Sequence, residues 1–91
     1  MSWFVYILKC NDRTLYTGVT TDVARRVREH NGEIGVGKGA KYTKIRRPVT
    51  LVYSEPHPDR SSASIREAAI KKLTRTEKEA LCKQALTKVT K

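Results

Sequence analysis

The sequence predicts an α+β fold, a small three-stranded antiparallel sheet flanked by helices in the order ββαβαα. Three observations carry this. Two β-branched and aromatic runs near the N-terminus are separated by a short turn, a third such run ends in prolines, and capping signals precede stretches of helical apolar spacing.

Residues 3 to 10 (WFVYILKC) and 14 to 20 (TLYTGVT) flank the turn formers Asn11-Asp12-Arg13 and read as a β-hairpin. Strand alternation puts Phe4, Tyr6 and Leu8 on one face and Val5 and Ile7 on the other, so the first strand is expected to be buried on both sides and central. Thr21 or Asp22 is placed to cap a helix to about Asn31, with Val23, Ala24 and Val27 as its apolar stripe and Gly32 as its stop. A glycine-rich basic loop, residues 32 to 41, leads through Tyr42-Thr43 to Arg46-Arg47-Pro48. Residues 49 to 55 (VTLVYSE) make the third strand, ended by Pro56 and Pro58. Ser61 to Ser64 offer caps for a helix containing Ile65, Glu67, Ala68, Ala69 and Leu73. Thr74-x-x-Glu77 has capping-box spacing for a last helix that carries Leu81, Ala85 and Leu86 inward.

Ninety-one residues, 38% hydrophobic and 31% charged, suit one soluble domain spanning 1–91 and do not suit a disordered tail. The apolar stretch from Trp3 to Leu8 is too short for a membrane span or a signal-peptide core, and no basic leader precedes it, so a cytoplasmic location is expected. Cys10 and Cys82 lie far apart without Cys-x-x-Cys or His-rich companions, which argues for reduced, structural cysteines and against a zinc site.

Nineteen Lys and Arg against nine Asp and Glu leave a net charge of +10. That excess repels itself in a compact chain, so a polyanionic partner is expected, nucleic acid first. Lys38, Lys41, Lys44, Arg46 and Arg47 fall within ten residues that contain no acid, dense enough to neutralise several phosphates at once. Within the preceding loop, Gly32-Glu-Ile-Gly-Val-Gly37-Lys38 has the spacing of a phosphate-binding loop. Gly39, however, replaces the Ser or Thr that would hold Mg²⁺, and the segment follows a helix where a strand is needed, so a nucleotide triphosphatase is excluded. What remains is a flexible cationic loop or a plain surface loop.

Tyr6 and Tyr16 lie on adjacent strands where a suitable register brings their phenols to one face. Alone they would pass for core aromatics. They are followed in order by Gly18, by Arg26 eight residues later, by His30 one helical turn after that, and by Glu67 on a distant helix. This set, with the tyrosines in Val5-Tyr6-Ile7 and Tyr16-Thr17-Gly18, resembles the GIY-YIG nuclease family, and more narrowly its small stand-alone members. The likeness covers nearly the whole chain, because the element order is the family's too.

The resemblance implies a metal-dependent endonuclease hydrolysing DNA phosphodiesters, with structure-specific, repair or recombination substrates as the expected class. It implies that Glu67 binds one divalent metal, Mg²⁺ or Mn²⁺, which prefer oxygen ligands and retain waters. Tyr6 is the better candidate for general base, although a phenol with a pKa of ~10 needs a nearby cation to ionise at neutral pH. Tyr16 would orient the water or the phosphate, Arg26 would present its planar fork to phosphate oxygens, His30 would bond a tyrosine hydroxyl or the phosphate, and Gly18 would allow close approach at the site. Bland roles stand beside these: a solvated helix charge for Arg26, a favourable helix-end residue for His30, an i,i+4 partner of Lys71 for Glu67. Many family members carry an Asn in the C-terminal part of the domain; here no Asn follows Asn31, and Gln84 is the only amide in that region. A nucleic-acid-binding module with little or no cleavage is therefore the alternative. DNA is the expected partner, RNA the second choice, with a partner protein or the shape of the DNA supplying specificity.

Overall fold

A computed structural model describes residues 2–35 and 41–89, with side chains except at 41 and 85–89. Strands β1 (Trp3–Lys9) and β2 (Leu15–Thr20) form the antiparallel hairpin. Its turn is closed by Cys10 N–H donating to Thr14 O at 2.9 Å, and Asp12 Oδ1 accepts from the Thr14 amide and hydroxyl at 3.1 and 2.6 Å. Strand β3 (Thr50–His57) pairs antiparallel with the other side of β1, giving the order β2-β1-β3. As the alternation predicted, the central strand is buried on both faces from Val5 to Leu8. Full burial of each such aliphatic side chain contributes about 1.5–3 kcal/mol. β3 runs on through Pro56, past the expected end at 55. It is an edge strand, where a residue without an N–H costs no ladder bond on the solvent side.

Register sets the faces. Tyr6 lies opposite Gly18 and Ser54, and Leu8 opposite Tyr16, so Tyr6, Leu8, Tyr16 and Gly18 share one face while Val5, Ile7, Thr17, Val19 and Tyr53 share the other. Helix α1 (Val23–His30) covers the first face with Val23 and Val27. Its cap is Asp22, accepting from Arg25 N–H at 3.1 Å, and Gly32 ends it at φ 75. A single turn, α2 (Lys41–Lys44), follows the glycine-rich loop where the sequence indicated only a connection.

Helices α3 (Arg60–Lys71) and α4 (Arg75–Val89) lie on the second face, where Ala63, Ile70 and Cys82 join Val5 and Ile7 in one cluster. Asp59, not one of the serines, caps α3, accepting from Ser62 N–H at 2.8 Å. The capping box of α4 forms as expected, with Thr74 N–H donating to Glu77 at 2.8 Å and Glu77 N–H to Thr74 Oγ1 at 3.2 Å. Leu81 packs inward, whereas the side chains of Ala85 and Leu86 lie outside those described. Both cysteines are free and buried, Cys10 beside Tyr6 and Leu8 and Cys82 beside Val5 and Ile7. Among the described residues no helix is long and apolar enough to cross a membrane.

The rotation of α3 is set by a polar clamp. Arg66 Nε donates to both oxygens of Glu55 at 3.2 and 3.0 Å, and Glu55 also bonds Tyr53 and, at 2.6 Å, His57. Burial works to raise the Glu55 pKa, but these hydrogen bonds prevail and hold it below the usual carboxylate range.

Candidate active site

Tyr6 and Tyr16 meet as the register requires, with ring centroids 6.5 Å apart. The Tyr6 ring lies across Gly18: a Cβ there would stand 2.5 Å from the phenol oxygen and 2.7 Å from Cζ. Gly18 therefore makes room for the Tyr6 ring itself. Gly18→Ala must displace a buried ring, which is expected to lower the urea unfolding free energy by about 1–3 kcal/mol; an unchanged midpoint would mean that the ring shifts without cost.

His30, at the end of α1, is 0% exposed and stands 2.9 Å from the Tyr6 hydroxyl through Nε2. Its Nδ1 lies 2.7 Å from Thr43 Oγ1, also 0% exposed. Arg26, one turn earlier on α1, hydrogen-bonds the same Tyr6 phenol and donates through Nη1 to Glu29 at 2.9 Å. Burial first, then the nearby Tyr16, pushes the Tyr6 pKa up to about 12, against the lowering pull of Arg26. The cation that a phenolic base needs is thus present, but in the free protein burial outweighs it and Tyr6 keeps its proton.

Burial and then Arg26 push the His30 pKa down from 6.5 to about 4, partly opposed by Glu29. The imidazole is therefore neutral at neutral pH. Because the unfolded chain binds this proton more tightly, the contribution to stability is complete above pH ~6.5 and falls by about 3 kcal/mol as the pH drops to ~4. Urea unfolding at neutral pH and near pH ~4.5 is expected to show a steeper acid loss for wild type than for His30→Asn; equal losses would contradict the burial of a neutral imidazole.

Glu67 sits on the sheet-facing stripe of α3, four residues after Ala63 and three before Ile70. Its side chain is 24% exposed, its carboxylate pairs with Lys71 at 3.4 Å, and its charge acts to raise the Tyr6 pKa. The i,i+4 partnership is thus formed, and the carboxylate also lies in the electrostatic neighbourhood of Tyr6. Among the described residues no three His, Cys, Asp or Glu side chains gather as a metal cluster. A single carboxylate donor fits Mg²⁺ or Mn²⁺, which keep several waters, and does not fit a closed cage of protein ligands.

Of the basic stretch, Lys44 is exposed, while Lys38 and the Lys41 side chain lie outside the described residues. Arg46 and Arg47 are turned to protein acceptors. Arg46 Nε donates to Asp12 and its Nη1 to Tyr42 O, each at 2.9 Å, and Arg47 Nε donates to His30 O. Sequence reasoning missed Tyr42 and Thr43. Tyr42 stacks on Tyr16 with centroids 5.9 Å apart, and the Arg46 guanidinium lies over the Tyr42 ring, 4.0 Å from its centroid. No sequence signal marked Thr43, a hydroxyl among lysines. A cavity of about 390 Å³ opens between α4 and the sheet, lined by Leu15, Val52 and Cys82. It holds none of the candidate residues.

The hairpin tyrosines, the α1 pair and the α3 carboxylate place the chain in a class, that of the GIY-YIG catalytic domains. The sequence profile of that domain matches residues 2–80, which take in every one of these side chains, and the chain belongs to the GIY-YIG family. Within it, the chain is similar to UPF0213 proteins. One from Desulfotalea psychrophila is 58% identical over 82 residues, covering 90% of this chain and 72% of that protein. Another, from Haloquadratum walsbyi, is 53% identical over 81 residues, covering 89% and 86%. The solution NMR structures of an E. faecalis protein and of a UPF0213 protein from Bacillus halodurans, each 44% identical, align with TM-scores of 0.62 and 0.57; they cover 96% and 92% of this chain and 88% and 85% of their own.

Proposed function

We propose that the protein is a divalent-metal-dependent endonuclease that hydrolyses phosphodiester bonds in DNA. The observation that carries the reading is the buried Tyr6–His30 hydrogen bond of 2.9 Å with Arg26 on the same phenol. Phosphodiester hydrolysis needs a base for the attacking water, charge stabilisation at phosphorus and correct placement. Tyr6 takes the water proton on its oxygen while its own proton passes to Nε2 of His30, so the base never has to exist as a free phenolate. In the free protein the two pKa values stand at about 12 and about 4 and oppose the transfer. A phosphate anion bound at Arg26 would favour imidazolium at the nearby His30 and narrow the gap.

Arg26, partly exposed at the mouth of this cluster, presents its guanidinium to phosphate oxygens. Tyr16, packed edge-on to His30 at 5.1 Å, orients the water or the scissile phosphate. Glu67 would hold Mg²⁺ or Mn²⁺, which when bound neutralises charge on the phosphate and the leaving oxygen. The net charge of +10 supplies attraction to the polyanion, with Lys44 and the Lys38–Lys41 segment as contact candidates. Branched or damaged DNA shape, or a partner protein, would supply the choice of substrate, as repair or recombination would require.

Nicked, branched, single-stranded and duplex DNA, with RNA as comparator, incubated with Mg²⁺, Mn²⁺ or a chelator, tests this. Product that needs metal, prefers DNA and is lost in Glu67→Ala is expected. Salt-sensitive binding without product would replace the reading by the binding module that the missing Asn suggests.

A further inference from the structure

We infer that Thr43 is a positioning residue whose hydroxyl accepts the Nδ1 proton of His30 and so, together with Tyr6 on Nε2, supports the tautomer that takes the Tyr6 proton. The inference deepens the nuclease reading and rests on it. An imidazole with one proton must choose which nitrogen carries it, and here the partners decide. Tyr6 is 1% exposed and protonated, so its O–H needs an acceptor inside the protein. Arg26, on the same oxygen, has only donors. Among the described residues the acceptor is His30 Nε2 at 2.9 Å, which must then carry a lone pair. The ring proton is therefore on Nδ1 and goes to Thr43 Oγ1 at 2.7 Å.

When Tyr6 gains a proton from water and releases its own to Nε2, the imidazolium holds both ring protons. The one on Nδ1 stays against the threonine oxygen, which favours the charged ring. The reversed tautomer has no lone pair at Nε2 and blocks the transfer.

The placement of Thr43 is secured at some distance. Its one-turn helix α2 is fastened to the β1–β2 turn by Arg46 Nε on Asp12 at 2.9 Å and by Asn11 N–H on Arg46 O at 2.9 Å. Tyr42, the preceding residue, contacts both the Tyr16 ring and the Arg46 guanidinium. One segment thus orients His30 from its Nδ1 side and covers Tyr16.

The test reads the tautomer directly, from ring proton–nitrogen correlations of ¹⁵N-labelled full-length protein at neutral pH, without substrate. Wild type and Thr43→Ser are expected to show Nδ1–H at His30, and Thr43→Val to shift the ring toward Nε2–H. In cleavage assays Thr43→Val is expected to lower kcat about 10²-fold with KM within about 2-fold, and Thr43→Ser to restore most of it. Nε2–H in wild type, or an unchanged tautomer in Thr43→Val, overturns the role, whatever the activity. Should Thr43→Val fail to fold, the wild-type tautomer and Thr43→Ser decide alone. A protein with Nδ1–H that cuts nothing overturns the nuclease reading instead.

Discussion

Glu67→Ala is expected to lower metal-dependent cleavage by about 10³-fold or more while leaving the fold intact. The size follows from isolation of the ligand: among the described residues no acidic cluster stands behind Glu67 to take over its role. A metal that stabilises transition-state charge by several kcal/mol is worth about three powers of ten at ~1.4 kcal/mol each. The fold should tolerate the change, because the partnership lost is a partly exposed i,i+4 pair with Lys71 at 3.4 Å, and such pairs contribute about 0–1 kcal/mol. Lys71→Ala separates the two roles of the carboxylate. If Glu67 acts only as a helix ion-pair partner, both variants will behave alike and cleavage will persist. If it holds metal, Lys71→Ala keeps activity, Glu67→Ala loses it, and Mn²⁺ binding followed by electron paramagnetic resonance weakens only in the latter. Equal cleavage by wild type and Glu67→Ala would remove the mechanism.

The parts of this site that the sequence made legible are those set by short-range rules. Period-two alternation in Val5–Leu8 identified the central strand and the face of Tyr6, and the ordered set ending in Glu67 identified the family. Helical spacing made Arg26 and His30 neighbours, and both do reach Tyr6. What escaped depends on which distant segments touch. Thr43 bonds a ring 13 positions away, and nothing in Tyr42-Thr43 announces it. Arg46 and Arg47 read as phosphate contacts because a sequence shows charge but not the acceptors it meets, here Asp12, Tyr42 O and His30 O. At Gly18 the sequence shows that space is left but not what fills it, here the Tyr6 ring. Asp59 caps α3 because the helix begins one residue later, at Arg60, which puts the serines inside it.

Tyr6→Phe is expected to reduce kcat by about 10²–10⁴-fold with little change in KM, the range for loss of a positioned general base. The substitution removes one oxygen and keeps the ring that fills the space over Gly18, so packing is retained. Three consequences distinguish a base from a core aromatic. Stability should fall by about 1–3 kcal/mol, the cost of leaving the buried Nε2 lone pair of His30 unpaired. Arg26 should lose its bond to the phenol but keep Glu29 at 2.9 Å, so DNA affinity should hold. Finally, wild-type turnover should fall on the acid side, as protonation of His30 removes the acceptor for the Tyr6 proton. No alkaline rise from Tyr6 ionisation should appear below pH ~10, because its pKa is pushed up to about 12. A Tyr6→Phe protein with wild-type kcat would return both tyrosines to the core and leave Tyr16 or a solvent base to activate the water. A collapse in stability with proportionate loss of binding would mean that the hydroxyl holds the site together and does not act in the reaction.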